Sequence, residues 1–295
     1  MSPTLRRRRK QPAAPSESGS DSADAPASAP VTTELPGRDG FDDPPRQPRR
    51  PWRRRPWRRR ALTDATPVLL LRAAHPRLGA LTAGGLAIAA ALAGRPSREV
   101  ALVLATALVG QALLGWFNDL VDRRRDSRRA PSGKPIADGL LDPGNAWFAF
   151  VCGVLVLIPL AISNGVVAGC CYLGSVVIGL LGSLMLRKGW FSWVTWAASY
   201  ALYPAFLSYG GWGGQAEGAP PQVAMVVVAA LLGVGVHVLC ALPGLVADHE
   251  DGYRHLPLRV ALRIGAPRLL MVSLAWTMLA LAGLLVLGSA VGLSH

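Results

Sequence analysis

The sequence predicts an all-α fold, a polytopic transmembrane helix bundle of about seven spans preceded by a disordered basic tail. Three observations lead there. Hydrophobic residues make up 51% of the 295 positions even though a long polar segment is averaged in. Apolar stretches of about 17 to 25 residues, the length that crosses a hydrocarbon core about 30 Å thick, recur from Leu78 onward. The loops between them alternate between basic and nearly uncharged, the pattern that orients membrane proteins.

Residues 1–65 are rich in Pro, Ser, Ala, Asp and Arg, and such a segment cannot bury enough apolar surface to offset its ordering entropy. It is expected to be a disordered Arg/Pro-rich cytoplasmic tail, with residues 66–295 forming the transmembrane domain. Lys and Arg total 31 against 18 acidic residues, a net charge of +13. Residues 1–60 alone hold 15 basic and 7 acidic side chains. The excess therefore sits largely on a tail and not on a folded surface, and no nucleic-acid partner is expected. No apolar core follows the first arginines at the distance a cleavable signal peptide requires. The run Trp52 to Arg60, WRRRPWRRR, suits contact with the lipids of an anionic inner leaflet. The plainer reading is a solvated basic tail that fixes topology.

The seven expected spans are Leu78 to Gly94, Val100 to Phe117, Ala146 to Ile162, Val166 to Leu186, Trp190 to Tyr209, Val223 to Leu242 and Leu269 to Val291. Basic residues concentrate in the tail, in residues 118–145, at Arg187-Lys188 and in residues 244–268, while the opposite loops hold Arg95, Arg98 and a Gly-rich run. The basic loops and the N-terminus are therefore cytoplasmic, in a multi-pass protein of the plasma membrane. Cys152, Cys170, Cys171 and Cys240 all lie in apolar runs without metal-binding or disulfide spacing, and read as small membrane-core residues.

Charge beside a span is costly and usually marks function. The second span ends in NDLVDRRRD. If the helix continues, Asn118, Asp119, Asp122 and Asp126, spaced by three or four residues, share one face of hard oxygen ligands. Such a set suits Mg²⁺, which binds through one or two carboxylates and keeps other positions for substrate phosphate oxygens. Arg123 to Arg125, Arg128, Arg129 and Lys134 are then available to clamp a diphosphate. The alternative is a solvated, charge-balanced helix end that obeys the positive-inside rule.

The complete pattern, Asn-Asp-x-x-Asp-x-x-x-Asp followed by Lys134-Pro135, resembles the first signature of the UbiA superfamily of intramembrane prenyltransferases. The segment LPGLVADHEDGYRHLPLRVALRIG, Leu242 to Gly265, resembles the second, an LPDxxxD helix end leading to a glycine and a TLP-x-R segment. Asp248 matches the second aspartate, Gly252 the glycine, His255-Leu256-Pro257 the TLP position and Arg259 the arginine. The resemblance covers roughly Leu78 to His295. Gly244 stands where that signature has its first aspartate; Asp251, three residues beyond Asp248, is expected to compensate, with His249 and Glu250 as further polar candidates. The family typically has nine spans where seven are counted here, so the substrate chamber is expected to be closed differently, with homo-oligomer formation one route.

The resemblance implies Mg²⁺-dependent transfer of an isoprenyl group from a prenyl diphosphate to an aromatic or other lipophilic acceptor. Asp119, Asp122 and Asp248 are the expected catalytic residues. Asn118, Asp119, Asp122 and Asp126 would hold one metal, Asp248 and Asp251 a second. Asn118, Arg128, Lys134, Arg187, Lys188, Tyr200 and Tyr203 are the expected substrate-binding residues. Arg187 and Lys188 read equally as topology anchors. Trp193, Trp196, Tyr200 and Tyr203 recur at three- and four-residue spacing and form a stripe, either for an isoprenoid chain and its allylic cation or for interfacial anchoring. His237 reads as a packed polar residue, or as a neutral base for the acceptor's proton. CDP-alcohol phosphotransferases also pair aspartates with magnesium, but neither Asp138-Gly139 nor Asp251-Gly252 is followed by their Ala-Arg. A non-catalytic scaffold or lipid-binding protein is the competing reading, supported by Gly244.

Overall fold

The computed structural model describes residues 64–129, 131–211, 218 and 220–290, so residues 1–63 of the tail expected over residues 1–65 and most of the Gly-rich run after Gly210 lie outside it. The described residues are helical, with no strand among them: α1 (Thr66–Ala73), α2 (Pro76–Leu92), α3 (Ser97–Asp126), α4 (Pro143–Ile162), α5 (Val166–Leu181), α6 (Ser192–Ala201), α7 (Tyr203–Ser208), α8 (Val223–Ala241), α9 (Leu245–Glu250), α10 (Leu256–Ile264) and α11 (Ala266–Ala290).

Five helical stretches are long and apolar enough to cross a membrane: Ser97–Arg129, Pro143–Ile162, Val166–Leu186, Val223–Glu250 and Ala266–Ala290. Two of the seven expected spans differ. The first, Pro76–Leu92, has 17 residues, about 25 Å at 1.5 Å per residue. The fifth is divided into α6 and α7, because Pro204 lacks an N–H and would crowd the carbonyl four residues earlier; the helix breaks at Leu202 and restarts with the proline in its first turn. α3 is longer than expected, 30 residues or about 45 Å, so its last turns project beyond a hydrocarbon core.

Packing relies on small residues, as is usual where lipid removes most of the hydrophobic drive between helices. Ala83, Ala87 and Ala90 of α2 are buried, as are Val103 and Ala107 of α3. A Cβ at Gly110 would lie 2.3 Å from the Tyr172 hydroxyl, so the glycine opens the slot from which Tyr172 donates to the Ala107 carbonyl at 3.2 Å. Gly165, at φ 117°, makes the tight reversal between α4 and α5. Away from the charged end, Arg95 donates to the carbonyls of Leu207 and, at 2.6 Å, Gly210, satisfying acceptors left open where α7 stops.

A smaller core of Leu69, Ala73, Ile136, Leu141 and Ala146 pins the loop before α4 against α1 and α3. Trp116 Nε1 donates to the Leu70 carbonyl at 2.8 Å and ties α1 to α3. This second core carries Lys134 to the end of α3.

Candidate active site

A cavity of about 1090 Å³ opens among the charged ends of the helices. Asn118, Asp122, Asp126, Lys134, Arg187 and Asp248 line one end of it; Gln111, Leu114, Trp196, Tyr200, Tyr203 and His237 line the other. It is thus polar at one end and largely aromatic at the other, in the size range of small-molecule sites.

The polar end depends on α3 continuing as a helix to Asp126. Asn118, Asp122 and Asp126, four residues apart, form a row along the chamber. Asp119 is rotated out of that row. Its Oδ1 lies 3.0 Å from His75 Nε2 and 3.1 Å from Lys134 Nζ. His75 sits between α1 and α2 with φ 51°, the one positive φ at a non-glycine among the described residues. Such conformations persist where surroundings impose them, frequently at functional sites. Lys134 Nζ also reaches Asp126 Oδ2 at 2.9 Å. Burial works against the lysine's charge, but Asp119 and Asp126 outweigh it and hold the amine above its ordinary pKa.

Opposite α3, α5 runs into a π-helical turn, Gly182–Leu186, a distortion often found at functional sites. Directly after it, Arg187 forms an ion pair with Asp122 and donates to the Tyr253 hydroxyl at 3.0 Å.

The second acidic segment is α9 and the turn after it. Gly252, at φ 72°, takes the chain out of the helix while Tyr253 N–H donates to the Asp248 carbonyl at 2.9 Å. Asp248 is buried at 9% exposure. His255 caps α10: its Nδ1 accepts the Leu258 N–H at 3.2 Å, so Nε2 carries the proton and donates to Asp248 Oδ2 at 2.9 Å. Arg125 bonds to both Asp248 and Asp251 and lies over the Tyr253 ring, 4.6 Å from its centroid. Arg129 adds two bonds to Asp251, at 3.0 and 2.9 Å. Hydrogen bonds from Arg129 and Arg125 hold the Asp251 carboxyl well below the usual range.

The donor set bears on the expected metal. Among the described residues no three His, Cys, Asp or Glu side chains are grouped as a ready-made metal site. Instead, Asp119 Oδ2 and Asp122 Oδ1 are buried without a hydrogen-bond partner, and buried carboxylate oxygens seldom stay unpaired unless something else binds them. Two such oxygens, one from a wall of the row and one from within it, suit Mg²⁺, which needs few carboxylates and takes the rest of its shell from water and phosphate. Asp248 is the acidic side chain facing the chamber from the other side, and a Cβ on Gly244 would stand 3.4 Å from its Oδ2.

Of the residues expected from sequence, Asn118, Asp122, Asp126, Lys134, Arg187, Tyr200, Tyr203 and Asp248 come together around the chamber. Asp119 adjoins it through Lys134 and His75. Arg128, Lys188 and Asp251 instead line a neighbouring cavity. Trp196, Tyr200 and Tyr203 face the chamber, whereas Trp193 does not line it. His237 is buried at 8% exposure, 3.0 Å from Ser192 Oγ. Sequence reasoning missed His75 and the bond from His255 to Asp248. It also read Arg125 as a diphosphate clamp, where here it is occupied by two carboxylates. The Pro after His75, which marks a helix start, was the one local signal for His75.

The model of the UbiA prenyltransferase family matches residues 78–294. Two solved structures are similar in fold. The structure of a UbiA homolog from Archaeoglobus fulgidus bound to GPP and Mg²⁺ is 18% identical, with a TM-score of 0.56 over 73% of this chain and 76% of that one. A UbiA homolog from the same organism bound to Cd²⁺ is 18% identical, with a TM-score of 0.54 over 75% and 88%. No curated protein matches the chain.

Proposed function

Because the chain belongs to the UbiA prenyltransferase family, we propose that it transfers an isoprenyl group from a prenyl diphosphate to an aromatic or other lipophilic acceptor within the membrane, with Mg²⁺ as its cofactor. The observation that carries this reading is the pair of unpartnered buried oxygens, Asp119 Oδ2 and Asp122 Oδ1, at the polar end of a chamber whose other end is aromatic. Asn118, Asp119, Asp122 and Asp126 are the residues to hold one ion, and Asp248 the residue to hold a second, with Asp251 assisting from the adjoining turn. Bound there, Mg²⁺ supplies neutralisation of the negative charge that grows on the departing diphosphate.

The chain's own groups do the rest. Lys134 and Arg187 present donors to diphosphate oxygens from opposite walls. His255 fixes the orientation of Asp248 through its single Nε2 proton. Trp196, Tyr200 and Tyr203 line the path of the isoprenyl chain, and their ring faces stabilise positive charge on the allylic carbons. Tyr200 and Tyr203 are steadied by Thr82 and Gln111, each at 3.4 Å. The bonded pair His237 and Ser192 is the neutral polar feature of the inner end, available to the polar group of the acceptor. In this reading the acidic segments and N-terminus face the cytoplasm, in the plasma membrane.

The test uses the full chain in phosphatidylcholine nanodiscs with geranyl diphosphate as donor probe. Binding that requires Mg²⁺, is abolished by EDTA and restored by added Mg²⁺ is expected, followed by mass-spectrometric detection of prenylated product from a panel of phenolic and lipid alcohol acceptors. Absence of Mg²⁺-dependent donor binding would overturn the reading and favour the non-catalytic alternative that Gly244 suggests.

A further inference from the structure

A second cavity, of about 380 Å³, adjoins the chamber between α3, the π-helical turn and the loop after α9. Five cations line it, Arg124, Arg125, Arg128, Arg187 and Lys188, against two carboxylates, Asp122 and Asp251. Each carboxylate already has a cationic partner, Asp122 in Arg187 through one oxygen and Asp251 in Arg125 and Arg129. Arg124 is exposed. Arg128 is 70% exposed and comes only within 4.0 Å of Asp251, while Lys188 rests 5.6 Å from the centroid of the Tyr253 ring. Like charges gathered around one cavity repel one another, and an anion with several oxygens would relieve that repulsion while accepting forked guanidinium donors.

We propose that this cavity binds a phosphate group, supplied either by the headgroup of an anionic membrane lipid or by free inorganic phosphate or diphosphate. Its apolar lining fits the lipid source. Val121 and Leu184 edge the cavity at 38% and 56% exposure, and Leu181 and Val177 continue from Leu184 along α5, also exposed. At helical spacing these residues form a strip from the cations into the bilayer, along which an acyl chain can lie. The cavity shares Asp122, Arg125 and Arg187 with the chamber wall, but Arg124, Arg128 and Lys188 belong to it alone, and binding through these cations requires no metal.

The experiment uses the purified full chain in neutral detergent with EDTA present, so that metal-dependent binding in the chamber is suppressed. Native mass spectrometry measures retention of phosphatidylglycerol against phosphatidylcholine, and then displacement by millimolar inorganic diphosphate. The expected result is retention of phosphatidylglycerol over phosphatidylcholine, reduced about tenfold or more by Arg124→Ala with Lys188→Ala and restored in Arg124→Lys with native Lys188. Displacement by diphosphate assigns the site to free phosphate as well as lipid; resistance assigns it to lipid alone. Equal retention of the two lipids without diphosphate binding, or anion binding that the double variant leaves unchanged, overturns the proposal.

Discussion

Asp122→Asn separates two roles that the structure gives one carboxylate. Asp122 is 4% exposed; one oxygen pairs with Arg187 and the other is unpartnered. Asparagine keeps the size and removes the charge. Removing one member of a buried ion pair costs about 3–5 kcal/mol, and because Arg187 keeps 24% of its side chain in solvent the loss should fall at or below the low end, about 2–3 kcal/mol. For a domain of this size that lowers Tm by about 5–10 °C. Because the carboxylate would hold a cation against the charge growing on the diphosphate, its loss should also lower turnover by about 100- to 1000-fold. Arg187→Gln is the control, since it breaks the same pair from the other side and leaves the free oxygen in place. Tm and geranyl diphosphate binding, each measured with and without Mg²⁺, should show similar destabilisation in both variants but loss of Mg²⁺ dependence only in Asp122→Asn. Undiminished Mg²⁺-dependent binding in that variant would refute a metal role for Asp122.

Three further predictions follow from the second acidic segment and the loops. Gly244→Asp has room for its Cβ and sets a second carboxylate beside Asp248, so it should lower Tm without metal and gain about 2–4 °C more than wild type on adding Mg²⁺, a difference on the order of 1 kcal/mol; an equal Mg²⁺ response in both proteins would count against a metal near Asp248. The depressed pKa of Asp251 means that its contribution to stability is present above the unfolded value of about 3.9 and is lost as pH falls from there toward the folded value. Protection against hydrogen exchange across residues 245–256, taken relative to the intrinsic exchange rate at each pH, should therefore fall on acidification below pH 4, and Asp251→Asn should show that reduced protection already at pH 7. A reporter fused after Lys188 should read cytoplasmic and one within residues 211–218 external; the inverted pattern would undo the orientation assigned to the acidic segments.

The run of aspartates and arginines after the second span was legible because helical spacing alone places Asn118, Asp122 and Asp126 in a row. The same spacing misplaced Asp119: three-residue steps look equivalent to four-residue steps on a helical wheel, yet they turn the side chain far enough to meet a different wall. That wall is built from His75 and Lys134, 44 and 15 residues away, and only tertiary packing brings them there. The fifth span shows a related failure. Its aromatic period from Trp193 to Tyr203 reads as one continuous stripe, and the break imposed by Pro204 was visible in the sequence but outweighed by that period. His255 aligned with a threonine position, and either side chain can cap a helix, so nothing local indicated that a histidine's second nitrogen would also reach Asp248.

The carboxylates in and beside the chamber each hold a basic partner contributed by a different segment: Lys134 for Asp119 and Asp126, Arg187 for Asp122, Arg125 for Asp248 and Asp251. The empty protein thus carries its own counterions. In the proposed reaction, these groups would trade one another for a donor's opposite charges, the cations taking phosphate oxygens and the carboxylates holding the metal. Loading on that reading would be an exchange with small net change in charge, its driving force the difference between two sets of ion pairs. The cross-links that clip α3 to α9 and to the end of α5 would loosen in the same event, so departure of a diphosphate would be coupled to their closing again.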